Sequence, residues 1–298
     1  MSTLSDSVQH QAQGIYRLLV HRRYRTGPLP TAAARQIALQ KLEHNIREAQ
    51  PISLFFFWGG SKNPYLPLQS ADLCEQATLR QLKRLYLEVA QVYAPGLRFY
   101  LFPGDSRLHF VNQIPLAHTV DYVQTLKAIA AAEADYFHVV PVSELYSRYA
   151  GPFTEHLQLA ETQVTEAIFK QPLFEQLVHN AKKNIYPHNL HSAEALHQDC
   201  LTSARKYIVY RLAEEKARIF RDYDDCIRCS LIKFSLFFAF YQGYLSMSET
   251  QPRLDCVLHF YTGGKGNVTQ PWQAVGEMQG DQVKFLSQER LQKRSLLF

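Results

Sequence analysis

The sequence predicts an α/β fold, with a mostly parallel central sheet, flanking helices and a helical insertion. Three observations carry that expectation. The apolar runs Ile52–Trp58 and Leu97–Pro103 are separated by a helix-period stretch starting near Asp72, the strand–helix–strand order of a parallel crossover unit. From Pro152 to about Arg221 the pattern is helical throughout, with breaks at Pro172 and Pro187 and no strand signal. Strand patterns then return at Cys226–Phe234 and Asp255–Tyr261. The chain accordingly divides into N-terminal helices packing on the core (1–50), a first part of the core (51–150), a helical insertion or lid (151–222) and a second part with a C-terminal hairpin (223–298).

From about Ser5 to Tyr24, Val8, Ile15, Leu18 and Leu19 recur at helical spacing, and Gly27-Pro28 ends the pattern. Thr31 is the N-cap candidate of a second helix striped by Ile37, Leu39, Leu42 and Ile46. The first strand ends in Phe55-Phe56-Phe57-Trp58 and breaks into Gly59-Gly60-Ser61-Lys62-Asn63-Pro64. Asp72 and Glu75 then stand three apart before Leu79, Leu82, Leu85 and Val89, the signature of an N-cap with its N3 partner. After the second strand comes a polar loop, Gly104-Asp105, with His109 and Asn112 just beyond. A helix over Leu116–Ala132 and a third strand over Tyr136–Val142 follow. Gly280-Asp281 marks a hairpin turn, and Ser287–Phe298 reads as a short basic helix or tail.

In parallel sheets ligands sit beyond the carboxyl ends of the strands, where both polar loops fall. Lys62, Asn63, Asp105, His109 and Asn112 are therefore expected to converge on one crevice. That locates a site without naming a reaction.

Composition narrows the class. The chain has 298 residues, 46% of them hydrophobic and 20% charged, which suits a soluble globule with a sizeable core. Its 17 Tyr and 18 Phe predict a dense aromatic core, the plain reading preferred over a pocket lining. A net charge of +5, without long like-charge runs, suits anionic small substrates better than nucleic acid. Five cysteines give no disulfide framework, which fits a reducing compartment. With neither a signal-peptide pattern nor an apolar run of membrane-spanning length, the cytoplasm is the expected address.

Several motifs carry a bland reading more comfortably than a chemical one. Cys226-Ile227-Arg228-Cys229 has the CxxC spacing, but no second pair exists and residues three apart on a strand point to opposite faces. Structural thiols are expected, and no metal is signalled. Gly263-Gly264-Lys265-Gly266-Asn267 offers a backbone nest for phosphate with Lys265 as counter-charge, without Walker spacing. Twelve His residues are scattered without HExxH, and no GxSxG elbow occurs. Arg205, Lys206, Arg211, Lys216, Arg218 and Arg221 share a helix with Glu214, Glu215 and Asp222, a mixed solvated face or else a surface for a polyanion such as transfer RNA.

Read in order, these pieces resemble the isonitrile (isocyanide) synthase family, the group associated with pyoverdine and dityrosine biosynthesis. The resemblance rests on Ser61-Lys62-Asn63, Asp72 with Glu75, Tyr93 to Gly96, Gly104-Asp105, Arg228-Cys229-Ser230-Leu231-Ile232-Lys233 and Gln270-Pro271-Trp272. It spans residues 52 to 275. The Lys and Ser are swapped relative to the family pattern, and Gly104-Asp105-Ser106 replaces its Asp-Gly pair. Lys233 and Gln273 stand where His is usual.

The resemblance implies a Rossmann-like enzyme of secondary metabolism. It would condense the α-amine of an amino acid with the ketone of ribulose 5-phosphate, then fragment the adduct to leave one carbon as the isonitrile. Lys62, Asp72, Glu75, Asp105 and His109 are the implied catalytic groups. Asn63, Asn112, Arg228, Ser230, Lys233, Lys265 and Trp272 are the implied substrate-binding ones. Ribulose 5-phosphate is the implied co-substrate, with no other cofactor, and a partner oxygenase would act on the product. Two rival readings are an aminoacyl-tRNA-using peptide-bond (cyclodipeptide-type) synthase, motivated by the basic helix, and a non-catalytic amino-acid-binding relative.

Overall fold

A computed structural model describes residues 4–26, 29–164, 166–170, 172–182, 185, 192–231, 258–260, 262 and 269–295. At its centre stands β1 (Ile52–Trp58), hydrogen-bonded in parallel to β2 (Leu97–Pro103) on one side and to β4 (Ile227–Ser230) on the other. β3 (Phe137–Val139) and β5 (Leu258–His259) extend the two sides, giving a five-stranded parallel sheet of order β3-β2-β1-β4-β5. The strand order reverses between β1 and β4, which puts the crevice of such folds beyond their carboxyl ends. The expected Rossmann-like α/β architecture is the one observed.

Side-chain alternation along β1 sorts its residues between two cores. Ile52, Leu54, Phe56 and Trp58 join a core completed by α1 (Leu4–Leu19), α2 (Ala32–Arg47), α3 (Leu73–Ala90) and α5 (Leu116–Glu133). Phe55 and Phe57 face the opposite way, into a core shared with α6 (Val142–Arg148) and the Ala217–Phe220 segment. Thr31 caps α2 as expected, accepting from the Ala34 N–H. The Lys41 ammonium then ties α2 to the start of β4 by donating to the carbonyls of Asp224 and Cys226 at 2.6 and 2.7 Å.

The insertion is helical, as its sequence predicts. It holds α7 (Ala150–Gln163), α8 (Glu166–Phe169), α9 (Pro172–Ala181) and α10 (Ala193–Ala217), with Pro172 opening α9 and Pro187 outside the described residues. Ala160, Phe174, Leu177, Ile208 and Leu212 give it a separate small core. The hairpin also matches, with β6 (Ala274–Gln279) turning through Gly280, φ +61°, into β7 (Gln282–Ser287). It packs on α3 through Ala274, Phe285 and Cys74. A short helix, Gln288–Ser295, follows it.

Two expectations about the core are corrected. The third strand, expected to run to Val142, stops at Val139, and Val142 opens α6. The segment after β2 is no loop but an eight-residue helix, α4 (Asp105–Asn112), closed by Gln113 in the left-handed region. The polar Asp105, His109 and Asn112 mask it because they share one helical face and leave a weak apolar stripe.

Candidate functional site

The loop leaving β1 is pinned from across the chain. Lys62, 1% exposed, donates from Nζ to Asp72 Oδ1 (2.9 Å), Glu75 Oε2 (2.7 Å) and the carbonyls of Pro271 and Ala274 (both 2.9 Å). Asp72 is also the N-cap of α3, accepting from the Cys74 N–H, and its other oxygen accepts from the Gly276 N–H of the hairpin. Glu75 completes the capping box by accepting from the Asp72 N–H, and its Oε1 accepts from the Tyr122 hydroxyl. The Trp58 indole N–H in turn donates to that hydroxyl. The loop is closed by the Asn63 N–H donating to the Trp272 carbonyl at 2.8 Å and by its side-chain amide donating to Gln273 Oε1 at 2.8 Å.

Two carboxylates share one cation here, so their proton affinities diverge. Burial pushes Asp72 up, but Lys62 and the N–H groups of Gly276 and Cys74 outweigh it and hold the carboxyl below its ordinary value. Burial dominates at Glu75, raising it to about 7 against the pull of Lys62 and with the push of Asp72. A lysine so enclosed is a clamp, its charge spent on fixed oxygens rather than offered to the crevice.

A different polar group gathers on the opposite side of the sheet. Asp105, at the start of α4, accepts from the Ser143 N–H (3.1 Å) and hydroxyl (2.5 Å) of α6. Next to it, the Ser106 hydroxyl lies 3.2 Å from that of Tyr210 on α10. The Tyr146 hydroxyl of α6 donates to Glu214 Oε1 at 2.7 Å, and the other Glu214 oxygen takes Arg211. Arg211 stands 5.0 Å over the Phe57 ring, and Arg228 of β4 stands 5.2 Å over Phe55. Arg211 and Glu214 are both buried. The sequence alone places them on a mixed solvated face or on a surface for a polyanion. The clue to the contrary is local, since Ile208, Arg211 and Leu212 fall at helical spacing on the side that also carries the core residues.

The expected site residues therefore fall into two groups. Lys62, Asn63, Asp72, Glu75 and Trp272 meet around the start of α3 and the hairpin. Asp105, Arg228 and, by strand alternation, Ser230 lie on the α6–α10 side. The β1 and β2 ends still touch, because a Cβ on Gly60 would lie 2.4 Å from the Gly104 carbonyl carbon and the Asp105 nitrogen. His109 is exposed and its Nδ1 is 2.8 Å from the Ile114 carbonyl, whereas Asn112 is buried at the end of α4. Lys233 and Lys265 lie outside the described residues.

The CxxC pair behaves as structural thiols. Cys226 and Cys229 are buried in opposite cores, and burial raises the Cys226 thiol to about 12. Among the described residues no group of three metal-ligating side chains occurs, and no helix is long and apolar enough to cross a membrane. The basic residues do not share one helix as expected, because α10 ends at Ala217 and Arg218 stands in the left-handed region at φ +48°. Several are engaged within the chain: Arg205 with Glu166 and the Phe169 ring, Lys206 over Phe110, Arg218 with Asp224, and Arg221 over Tyr149.

The chain is similar in structure to the PvcA protein of Pseudomonas aeruginosa, with a TM-score of 0.66 over 96% of this chain and 94% of that one, at 17% identity. That likeness is one of fold. No protein-family model matches the chain, and no curated protein matches it significantly.

Proposed function

We propose that the chain is an enzyme of the isonitrile-synthase type, joining the α-amine of an amino acid to the ketone carbon of ribulose 5-phosphate. The observation that carries this reading is the meeting at Lys62. Three segments that the family resemblance picks out separately, Ser61-Lys62-Asn63, Asp72 with Glu75, and Pro271-Trp272, form one bonded assembly across some two hundred residues of chain. Gln273, standing where the family pattern has His, is bonded to Asn63 and so belongs to the same assembly. The fold shared with PvcA supports the reading at the level of architecture.

In this reading the Lys62 clamp fixes the loop that forms the crevice floor. Asp105 and His109 handle protons, while Asn63, Asn112, Ser230 and Trp272 contact substrate. Arg228, Lys233 and Lys265 provide positive charge for the sugar phosphate and the amino-acid carboxylate, both of which need cationic partners. Condensation forms the C–N bond at the ketone carbon and releases water. Fragmentation then breaks both carbon–carbon bonds of that carbon, which keeps an electron pair as the isonitrile lone pair. C1 of the sugar leaves as formaldehyde and C3 takes up its hydroxyl proton in a three-carbon phosphate ester, so that no oxidant is needed. The free thiols of the described cysteines suit a cytoplasmic enzyme, and an oxygenase acting on the isonitrile is the expected partner. Mass spectrometry of the protein incubated with the twenty amino acids and ribulose 5-phosphate tests the reading. An isonitrile from one amino acid supports it, and no product from folded protein overturns it.

A further inference from the structure

The Glu214 network joins a buried carboxylate to a half-exposed hydroxyl. Glu214 and Tyr210 are buried, Tyr146 is partly so, and Ser106 is half-buried in the first turn of α4, where β2 delivers the chain to the crevice. The Tyr146 hydroxyl donates to Glu214 at 2.7 Å. The Tyr146 ring stands edge to face with that of Tyr210 at 5.5 Å, and burial, Glu214 and the neighbouring Tyr210 phenol raise Tyr146 above its ordinary value. Tyr210 and Ser106 hydroxyls are 3.2 Å apart. Ser106, Tyr210, Tyr146 and Glu214 thus stand in sequence, with hydrogen bonds at both ends and the two phenol rings in contact between them, their side chains supplied by α4, α10, α6 and α10 again.

Burying a carboxylate, a guanidinium and two phenols in an aromatic wall is a poor way to stabilise a fold, because well-packed apolar side chains of the same volume do as well or better. Polar networks of this kind concentrate at functional sites. The amine chemistry proposed above supplies a use for it. An amino acid in water carries an ammonium, which must lose a proton before nitrogen can attack a ketone.

We propose that Glu214 is the terminal base of a proton relay that draws this proton from the crevice through Ser106, Tyr210 and Tyr146. The substrate ammonium gives a proton to Ser106 Oγ as the Ser106 proton passes to Tyr210, that of Tyr210 to Tyr146, and that of Tyr146 to Glu214 Oε1. The amine is left neutral and Glu214 protonated. Arg211 holds the carboxylate in place from its other oxygen. Ser106 is the residue that meets substrate, while Tyr210, Tyr146 and Glu214 act through it.

This inference rests on the proposed amine condensation, and the two fail differently. Tyr210→Phe removes the hydroxyl while keeping the ring stacked on Phe110 and edge-on to Tyr146. Ser106→Ala removes the half-buried end with little cost to packing. Each variant should lower kcat by about ten- to a hundredfold with KM nearly unchanged. The double variant should be no slower than the worse single one, because either change breaks the same line. A solvent deuterium isotope effect on kcat should be present in the parent and altered in both variants. Folded variants with parental kcat and isotope effect would overturn the relay while leaving the condensation standing. A parent without turnover overturns both.

Discussion

Gly59 lies so close to Trp272 that a Cβ on the glycine would sit 2.3 Å from the Trp272 Cγ. The end of the central strand and the turn before the hairpin, more than two hundred residues apart in sequence, are thus in direct contact. Trp272 also packs at 5.7 Å from Trp58 and offers its carbonyl to the Asn63 N–H. Gly59→Ala should therefore displace an indole rather than a flexible side-chain tip, at a cost of about 1–3 kcal/mol. Gly60→Ala should cost more, since its Cβ would meet the backbone of Gly104 and Asp105. Urea unfolding of the two variants checks the ranking, and equal stability of both with the parent would contradict the contacts.

Lys62→Met should be severe. It leaves Asp72 and Glu75 buried without their cation, and breaking such a pair costs about 3–5 kcal/mol. Adding Glu75→Gln should recover part of that loss at pH 8, above the Glu75 value of about 7, because an ionisable group that the missing cation no longer compensates is removed. A double variant as unstable as the sum of the two singles would show that they do not interact.

Glu75 makes stability depend on pH in a defined direction. Its carboxyl is raised to about 7 from an ordinary 4.5, so between those values the folded state holds the proton more tightly than the unfolded chain. Its contribution to stability therefore grows as pH falls through 7 and levels off below 4.5. From pH 8 to 5.5 that growth amounts to roughly 2 kcal/mol. Asp72, held below its ordinary value, acts oppositely, giving stability that is lost only in strong acid. Unfolding free energies of the parent and Glu75→Gln should draw apart with rising pH, the parent becoming the less stable. A difference independent of pH would contradict the assignment.

The thiols yield a simpler expectation. Cys226 and Cys229 should resist a disulfide reagent in the native protein, because both are buried and the Cys226 thiol is raised to about 12. Peptide mapping after brief labelling checks this, with full reaction expected only in denaturant. Rapid native labelling of either would contradict the core placement.

Local signals in the sequence were strong enough to reveal the Asp72–Glu75 capping box, the apolar β1 and the Gly280 turn, each of which is set by residues a few positions apart. What sequence could not supply was the partner of each polar group. Lys62 reads as a crevice cation until Pro271 and Ala274 are seen to enclose it. Arg211 and Glu214 read as solvated because a helical wheel says nothing about Tyr146, 68 positions earlier. The α4 helix was hidden by Asp105, His109 and Asn112, whose polarity marks a loop by composition and a shared helical face by spacing.

The most direct measurement uses ribulose 5-phosphate labelled with carbon-13 at the ketone carbon, incubated with the protein and each of the twenty amino acids. The isonitrile carbon should carry the label in full, and its nitrogen should come from the amino acid. An isonitrile without label, or label elsewhere in the product, would contradict attack of the amine on the ketone and with it the proposed reaction.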